Sequence, residues 1–136
     1  MLGFGMNEEE LKVAKRFSKA LEDVGKYLDV TVEISSNDAD GIEFAMDGFK
    51  FILTWENVMR QSIGREVEVV QYTLSYWKGI AATYDEPEGV EDIALITNQS
   101  IYPCVRKAFL FLEEVKIESA MEYVVWCMGG EVLEEF

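Results

Sequence analysis

Residues 30–55, VTVEISSNDADGIEFAMDGFKFILTW, decide the fold of this 136-residue chain. Apolar and polar side chains alternate along them, as in half-buried β-strands whose successive side chains point to opposite faces. The dipeptides Asp40-Gly41 and Asp47-Gly48 divide the stretch into three strands, because glycine tolerates the positive φ angle that a tight hairpin turn requires. The stretch therefore predicts an antiparallel meander.

An amphipathic helix is predicted before this meander, from Asn7 to about Tyr27. Asn7 is a good N-cap residue, and Glu10 stands three positions later, as in a capping box. The expected buried stripe holds Leu11, Ala14, Phe17, Leu21, Val24 and Leu28. The remaining surface carries Lys12, Lys15, Arg16, Lys19 and Lys26. This helix is the basic region of the sequence.

Two further strands are expected after the meander. Residues 56–63 predict a short helix or a loop that Gly64 ends. Residues 67–77 are rich in β-branched and aromatic side chains and predict a long fourth strand, near the sheet centre or twisted by a bulge. Residues 90–97 predict a fifth strand that returns beside it.

A second long helix closes the chain. Asn98 or Ser100 is expected to start it, Pro103 is tolerated in its first turn, and Gly129-Gly130 is expected to stop it. Residues 108–112 are apolar nearly all round the helix, which is more than one sheet face covers. We therefore expect that the C-terminal helix can form a homodimer.

The composition agrees with one globular domain. Hydrophobic residues make up 49% of the chain, which is enough for a single core. We predict a single α+β domain over residues 1–136, with an N-terminal helix, an antiparallel sheet of about five strands, a long C-terminal helix and an acidic tail at 129–136. No apolar run is long enough to cross a bilayer and no secretory signal is evident, so a cytosolic location is expected.

The charge of the chain is strongly negative and unevenly distributed. Asp and Glu number 26, Lys and Arg number 12, and the net charge is −14. Residues 28–64 and 80–99 each carry a net charge of −5, and residues 129–136 carry −3. The excess is therefore expected on turns, on one loop and on the tail, where a basic partner would meet it first.

The acidic turns and loop supply the candidate partner-binding residues. They are Asp85, Glu86, Glu88, Glu91, Asp92, Asp38 and Asp40. The alternative is that these carboxylates only keep an aromatic-rich protein soluble. Direct binding of nucleic acid is not expected, because phosphate contacts need Lys or Arg and a negative body is repelled.

Catalytic and metal chemistry have little support in the sequence. There is no histidine, the usual general base and metal ligand near neutral pH. Cys104 and Cys127 lack the partners of a zinc site, and both are expected to be buried thiols. The alternatives are a disulfide or redox pair between them and an interfacial thiol at Cys127. Residues 36–41 resemble the start of a calcium loop, but Asp47 stands where the bidentate glutamate belongs, so a β-turn is the better interpretation. We expect no cofactor and no enzymatic activity.

One segment resembles a known group of proteins. SYWKGIAATYDEPEG at residues 75–89, followed by VEDIAL at 90–95, resembles strand-loop-strand segments in small acidic orphan proteins of bacteriophages and prophages. Proteins of that group often inhibit host defence enzymes, and they include anti-CRISPR and anti-restriction proteins that occupy a basic nucleic-acid channel. The resemblance implies a phage-encoded protein acting in the cytoplasm of the host cell.

These observations leave several functions open. The leading hypothesis is a non-enzymatic inhibitor that occupies a basic surface of a host nucleic-acid-binding defence protein. A toxin-neutralising immunity protein is closely related to it. The order helix, three strands, short helix, strands, helix is also similar to dimeric type III secretion chaperones, which bind an extended segment of a secreted substrate.

Overall fold

The computed structural model describes residues 8–38, 41–79 and 90–128 and confirms the α+β fold. In chain order its elements are α1 (Glu8–Leu28), β1 (Val32–Asp38), β2 (Gly41–Met46), β3 (Phe49–Ser62), β4 (Arg65–Gly79), β5 (Val90–Asn98) and α2 (Ile101–Cys127). The strands form one antiparallel sheet in the order β1-β2-β3-β4-β5. Each strand therefore lies beside the strand that precedes it, as short connections favour.

α1 buries most of the predicted stripe. Ala14, Phe17 and Leu21 are fully buried, whereas Leu28 is half exposed at the end of the helix. Gly25 lies where α1 approaches the sheet closely: a Cβ atom there would meet Cγ2 of Val32 at 2.8 Å. The predicted N-cap, Asn7, lies outside the described residues.

The core lies on one face of the sheet, beneath both helices. Phe44 of β2 and Phe51 of β3 are paired in register, and their rings stack at 5.5 Å. Phe17 of α1 meets Phe44 edge-on at 5.5 Å, and Phe111 of α2 meets Phe51 edge-on at 6.4 Å. Because alternate strand residues share a face, the helices and these aromatic side chains form one layer against the sheet.

The β3–β4 connection differs from the expectation. Residues 56–63 are neither a helix nor a loop, since β3 continues to Ser62 and a two-residue turn at Ile63-Gly64 leads into β4. Gly64 is the second residue of that turn and not the end of a helix. The segment lacks the alternation of a half-buried strand because most of its side chains, on either face, are exposed.

The rest of the sheet agrees with the expectations for strands four and five. β4 is an interior strand, which is the first of the two predicted alternatives. Its pairing with β5 shifts register between Leu74 and Ser75, where Leu95 of β5 is left without a partner, so the extra residue is in β5 and not in β4. Along β4, Glu66 and Glu68 are exposed, whereas Leu74 is fully buried. That face of the strand therefore passes from solvent into the core.

α2 begins after Ser100, one of the two predicted start residues, and holds Pro103 in its first turn. The backbone N–H of Ser100 donates to Oδ1 of Asn98 at 2.9 Å. Cys104 is buried as expected, but Cys127 is exposed, so the prediction of a second buried thiol is wrong. Gly129-Gly130 lies outside the described residues. No helix in the described ranges is both long and apolar enough to span a membrane.

Candidate interaction surface

The predicted partner-binding residues do not gather at one place in the described chain. Four of them lie outside the described residues: Asp40, Asp85, Glu86 and Glu88. Asp38 ends β1, whereas Glu91 and Asp92 lie near the start of β5. β1 and β5 are the two opposite edges of the sheet. Asp38 is therefore separated from Glu91 and Asp92 by the width of the sheet.

The second half of α2 is an exposed surface that the sequence did not single out as a site. Val115 is the last buried residue of the helix. Lys116 reaches the β2–β3 turn, where its Nζ donates to Oδ2 of Asp47 at 2.8 Å. Residues 116–127, the α2 overhang, then continue for about 18 Å at the rise of an α-helix. None of them is buried.

Apolar side chains are unusually frequent on the α2 overhang. Trp126 is 76% exposed and Tyr123 66% exposed, and their ring centroids lie 6.3 Å apart. The other exposed apolar side chains there are Ile117, Met121 and Val124. At 100° per residue, Ile117, Met121 and Val124 share one face of the helix, whereas Tyr123 and Trp126 lie on the opposite side. Exposed apolar groups of this kind mark interaction surfaces in soluble proteins.

Negative charge surrounds these apolar groups. Glu113, Glu114, Glu118 and Glu122 are exposed, and none lies within 4.0 Å of a Lys or Arg among the described residues. Burial raises the pKa of the Tyr76 phenol, and the nearby charges of Glu118 and Glu122 raise it further. Their field therefore extends from the helix to the edge of the core.

A shallow groove lies along this flank of α2. Its volume is about 420 Å³, and it is lined by Glu114, Ile117, Glu118, Met121 and Glu122. We call this set the α2 groove. Its two apolar side chains and the row of carboxylates along one side of them, the rim, suit an apolar side chain carried beside cationic groups.

The opposite end of the molecule carries a projecting ribbon. Trp55 and Tyr72 are the last strand pair close to the helices, and seven further pairs follow, from Glu56–Gln71 to Ser62–Arg65. At roughly 3.3 Å per residue, this ribbon extends about 23 Å. We call residues 56–71 the β-arm. Neither β2 nor β5 extends along the β-arm. The backbone groups on both outer edges of the arm are therefore unpaired.

The described residues do not assemble a catalytic or metal constellation. No group of three or more His, Cys, Asp or Glu side chains in the described ranges is placed to hold a metal ion. Burial raises the pKa of the Cys104 thiol to about 11. At neutral pH this side chain is therefore a protonated thiol in the core, and a thiol is a poor nucleophile.

The sequence of the β-arm contains a hairpin signal, but the prediction of a short helix or a loop at residues 56–63 did not use it. Two strand-like runs separated by two residues, the second a glycine, predict a hairpin. Asn-Gly or Asp-Gly is the usual dipeptide at such a turn, and Ile63-Gly64 does not match it. No comparable sequence signal indicates that the α2 overhang is exposed, because its exposure depends on where the sheet ends.

Comparison with known proteins finds no family model, curated protein or solved structure that matches this chain. The surface chemistry of the chain is therefore the basis for its proposed function.

Proposed function

We propose that this chain is a non-enzymatic interaction protein that occupies a basic surface of a partner protein. The observation that carries the proposal is the α2 overhang, where unpaired glutamates lie beside exposed apolar side chains. Protein interfaces combine an apolar centre with a charged rim in this way. The net charge of −14 adds a long-range attraction for basic partners.

The proposed partner is a host nucleic-acid-binding defence protein. Surfaces that bind nucleic acid are lined with Lys and Arg, because they neutralise phosphates. An acidic protein that covers such a surface excludes the nucleic acid, which is inhibition of the anti-CRISPR or anti-restriction type. The resemblance of residues 75–95 to phage proteins supports this choice of partner, and with it a cytoplasmic site of action.

The type III secretion chaperone hypothesis has lost one of its supports. It rested on an order of elements that included a short helix between the third and fourth strands, and β3 and β4 are joined there by a two-residue turn. The homodimer through α2 and the toxin-neutralising role stay predictions.

Affinity capture tests the proposed function. The immobilised full-length chain is expected to retain a nucleic-acid-binding protein from host lysate at low salt and to lose it at high salt, because salt screens charge attraction. Replacing Glu118 and Glu122 with lysine should weaken the capture. The control is the same charge change on the β-arm, Glu66→Lys with Glu68→Lys.

Two results would count against the assigned surface. One is capture that does not depend on salt. The other is an equal loss of capture in both double variants, since net charge alone would then explain it. Capture that survives reversal of Asp85, Glu86, Glu88, Glu91 and Asp92 to lysine would remove those residues from the interface.

A further inference from the structure

The tip of the β-arm carries a side chain that the fold does not use. Ile63 and Gly64 have φ angles of 49° and 76°, as in a type I′ turn that needs positive φ at both positions. A β-branched residue is strained in that conformation, because its Cβ crowds the backbone. Ile63 is also fully exposed, so no packing within the described chain compensates for the strain.

Two arginines lie just behind this tip. Strand pairing places Arg60 and Arg65 on the same face of the β-arm, beside Val67. Neither arginine lies within 4.0 Å of a carboxylate among the described residues. The tip therefore presents one apolar side chain with Arg65 directly behind it on one face of the arm, and Glu66 and Glu68 exposed on the other face. Arg60 lies further from the tip, where it also borders a cavity lined by Gln71 and Asn98.

The α2 groove has the complementary chemistry at the other end of the molecule. Ile117 and Met121 supply its apolar side chains, and Glu114, Glu118 and Glu122 form the rim along one side of them. β3 runs from the β2–β3 turn, which contacts Lys116, to the tip of the arm. Its 14 residues separate the two ends by about 46 Å at roughly 3.3 Å per residue. The arm of a chain cannot reach the groove of the same chain.

We propose that the tip of the β-arm of one copy docks into the α2 groove of a second copy. Ile63 contacts Ile117 and Met121, and Arg60 and Arg65 face the glutamates on the rim. The contact is head-to-tail, so a pair of copies keeps one free arm and one free groove, and copies add into short chains or close into a ring. Two acidic chains repel each other, but salt screens charges that lie further apart than the Debye length, which is about 8 Å at physiological salt. The opposite charges at the contact are closer than that, so their attraction offsets the remaining repulsion.

A mixing experiment with full-length chains tests this contact. In one variant, Ile63→Asn removes the apolar tip and leaves the groove intact. In the other, Glu118→Lys with Glu122→Lys reverses the rim of the groove and leaves the arm intact. Sedimentation equilibrium over a concentration series measures the average mass of each variant alone, of the wild type, and of an equimolar mixture of the two variants.

The expected results are distinctive. The wild type gains mass with concentration beyond a dimer, each variant alone stays monomeric, and the mixture forms a dimer that does not grow, because only one arm and one groove are functional. The control Ile63→Val keeps an apolar tip and assembles like the wild type. Thermal unfolding of Ile63→Asn at or above the wild-type temperature shows that its loss of assembly is not misfolding.

Several results would overturn the proposal. A wild type that is monomeric at every concentration excludes the contact. The tip of the β-arm would then be a candidate binding site for a different protein. Unchanged self-association of Ile63→Asn points to a symmetric dimer through α2 instead. Variants that are both monomeric and do not combine on mixing also exclude it. Because no second protein is present in this experiment, its outcome is independent of the proposed function.

Discussion

Two hairpin turns in this protein share one backbone conformation and differ in their first residue. Asp47-Gly48 has φ angles of 50° and 88°, and Ile63-Gly64 has 49° and 76°. Aspartate is enriched at positive φ, whereas a β-branched residue is an outlier there. Asp47 also accepts hydrogen bonds from the Thr31 N–H at 2.9 Å and from Lys116 Nζ at 2.8 Å. Ile63 has no such role.

The difference shows that the two turns serve different purposes. The Asp47-Gly48 turn joins three elements, because its aspartate holds the start of β1 and the middle of α2 together. The Ile63-Gly64 turn lies at the end of the β-arm and contacts none of them. The strained apolar residue at this position has no packing partner in the described chain, and it is the basis of the contact proposed between two copies.

The change with the greatest predicted effect on stability is Asp47→Ile, which places the isoleucine of the Ile63-Gly64 turn in the Asp47-Gly48 turn. Asp47→Ile should lower the free energy of unfolding by about 2–3 kcal/mol, since it removes a backbone hydrogen bond and an ion pair and adds left-handed strain. Urea denaturation measures it. A loss below about 0.5 kcal/mol, the size of an ordinary surface substitution, would mean that Asp47 does not anchor α2 and β1.

The reverse exchange should stabilise the protein. Ile63→Asn places a residue that tolerates positive φ at the tip of the arm, and we expect the free energy of unfolding to rise by about 1 kcal/mol. The control Ile63→Val keeps the branch at Cβ and should leave the stability unchanged. A destabilised Ile63→Asn variant would show that Ile63 packs within its own chain.

A smaller effect on stability is expected when Lys116, the partner of Asp47 in the ion pair, is replaced. Lys116→Met should lower the free energy of unfolding by at most about 1 kcal/mol, because the pair is partly exposed and surface ion pairs contribute little. Combined with Asp47→Ile, the second change should add almost nothing, since the partner is already absent. Full additivity in this double-mutant cycle would indicate that the two side chains do not interact.

The smallest effect is a pH dependence. The hydrogen bond from Lys116, together with the one from the Thr31 N–H, lowers the pKa of Asp47 below its ordinary value of 3.8, although burial opposes the shift. The stability that the carboxylate contributes is therefore present above the unfolded-state pKa and is lost as the pH falls through the lower folded-state pKa. The advantage of the wild type over Asp47→Asn should disappear in that range.

Ile63 supplies the contrast for this measurement. It cannot ionise, so the stability difference between wild type and Ile63→Asn should stay constant over the same acidic range. Denaturation curves recorded from about pH 5 to about pH 2 follow both differences. A pH-independent difference at Asp47 would mean that its charged form has no special partner in the folded state.

Sequence patterns predicted the body of the fold but neither of its two projecting ends. Alternation between apolar and polar residues located β1, β2 and the start of β3, because one face of each strand is buried. The same rule failed for residues 56–63, where both faces of the β-arm are exposed and no alternation is required. Ile63 concealed the turn, since the usual signal is Asn or Asp before glycine.

The candidate surfaces were predicted less well than the fold. The acidic character of the chain was evident, but Asp38 and the pair Glu91 and Asp92 proved to lie on opposite edges of the sheet. Cys127 was expected to be buried, but it is exposed, as is its neighbour Trp126. An apolar pattern shows that a helix face can be buried, not that a partner within the chain covers it.

The α+β class, the strand order and the negative charge could be predicted from the amino-acid sequence, since these depend on local periodicity, short turns and residue counts. The ends of the sheet and of its helical layer could not, because they depend on how the elements pack. Burial depends on which elements lie opposite one another, and that is a property of the assembled layers. For this reason the exposure of the β-arm and of the α2 overhang, the two places where a layer extends beyond its partner, could be established only in the folded chain.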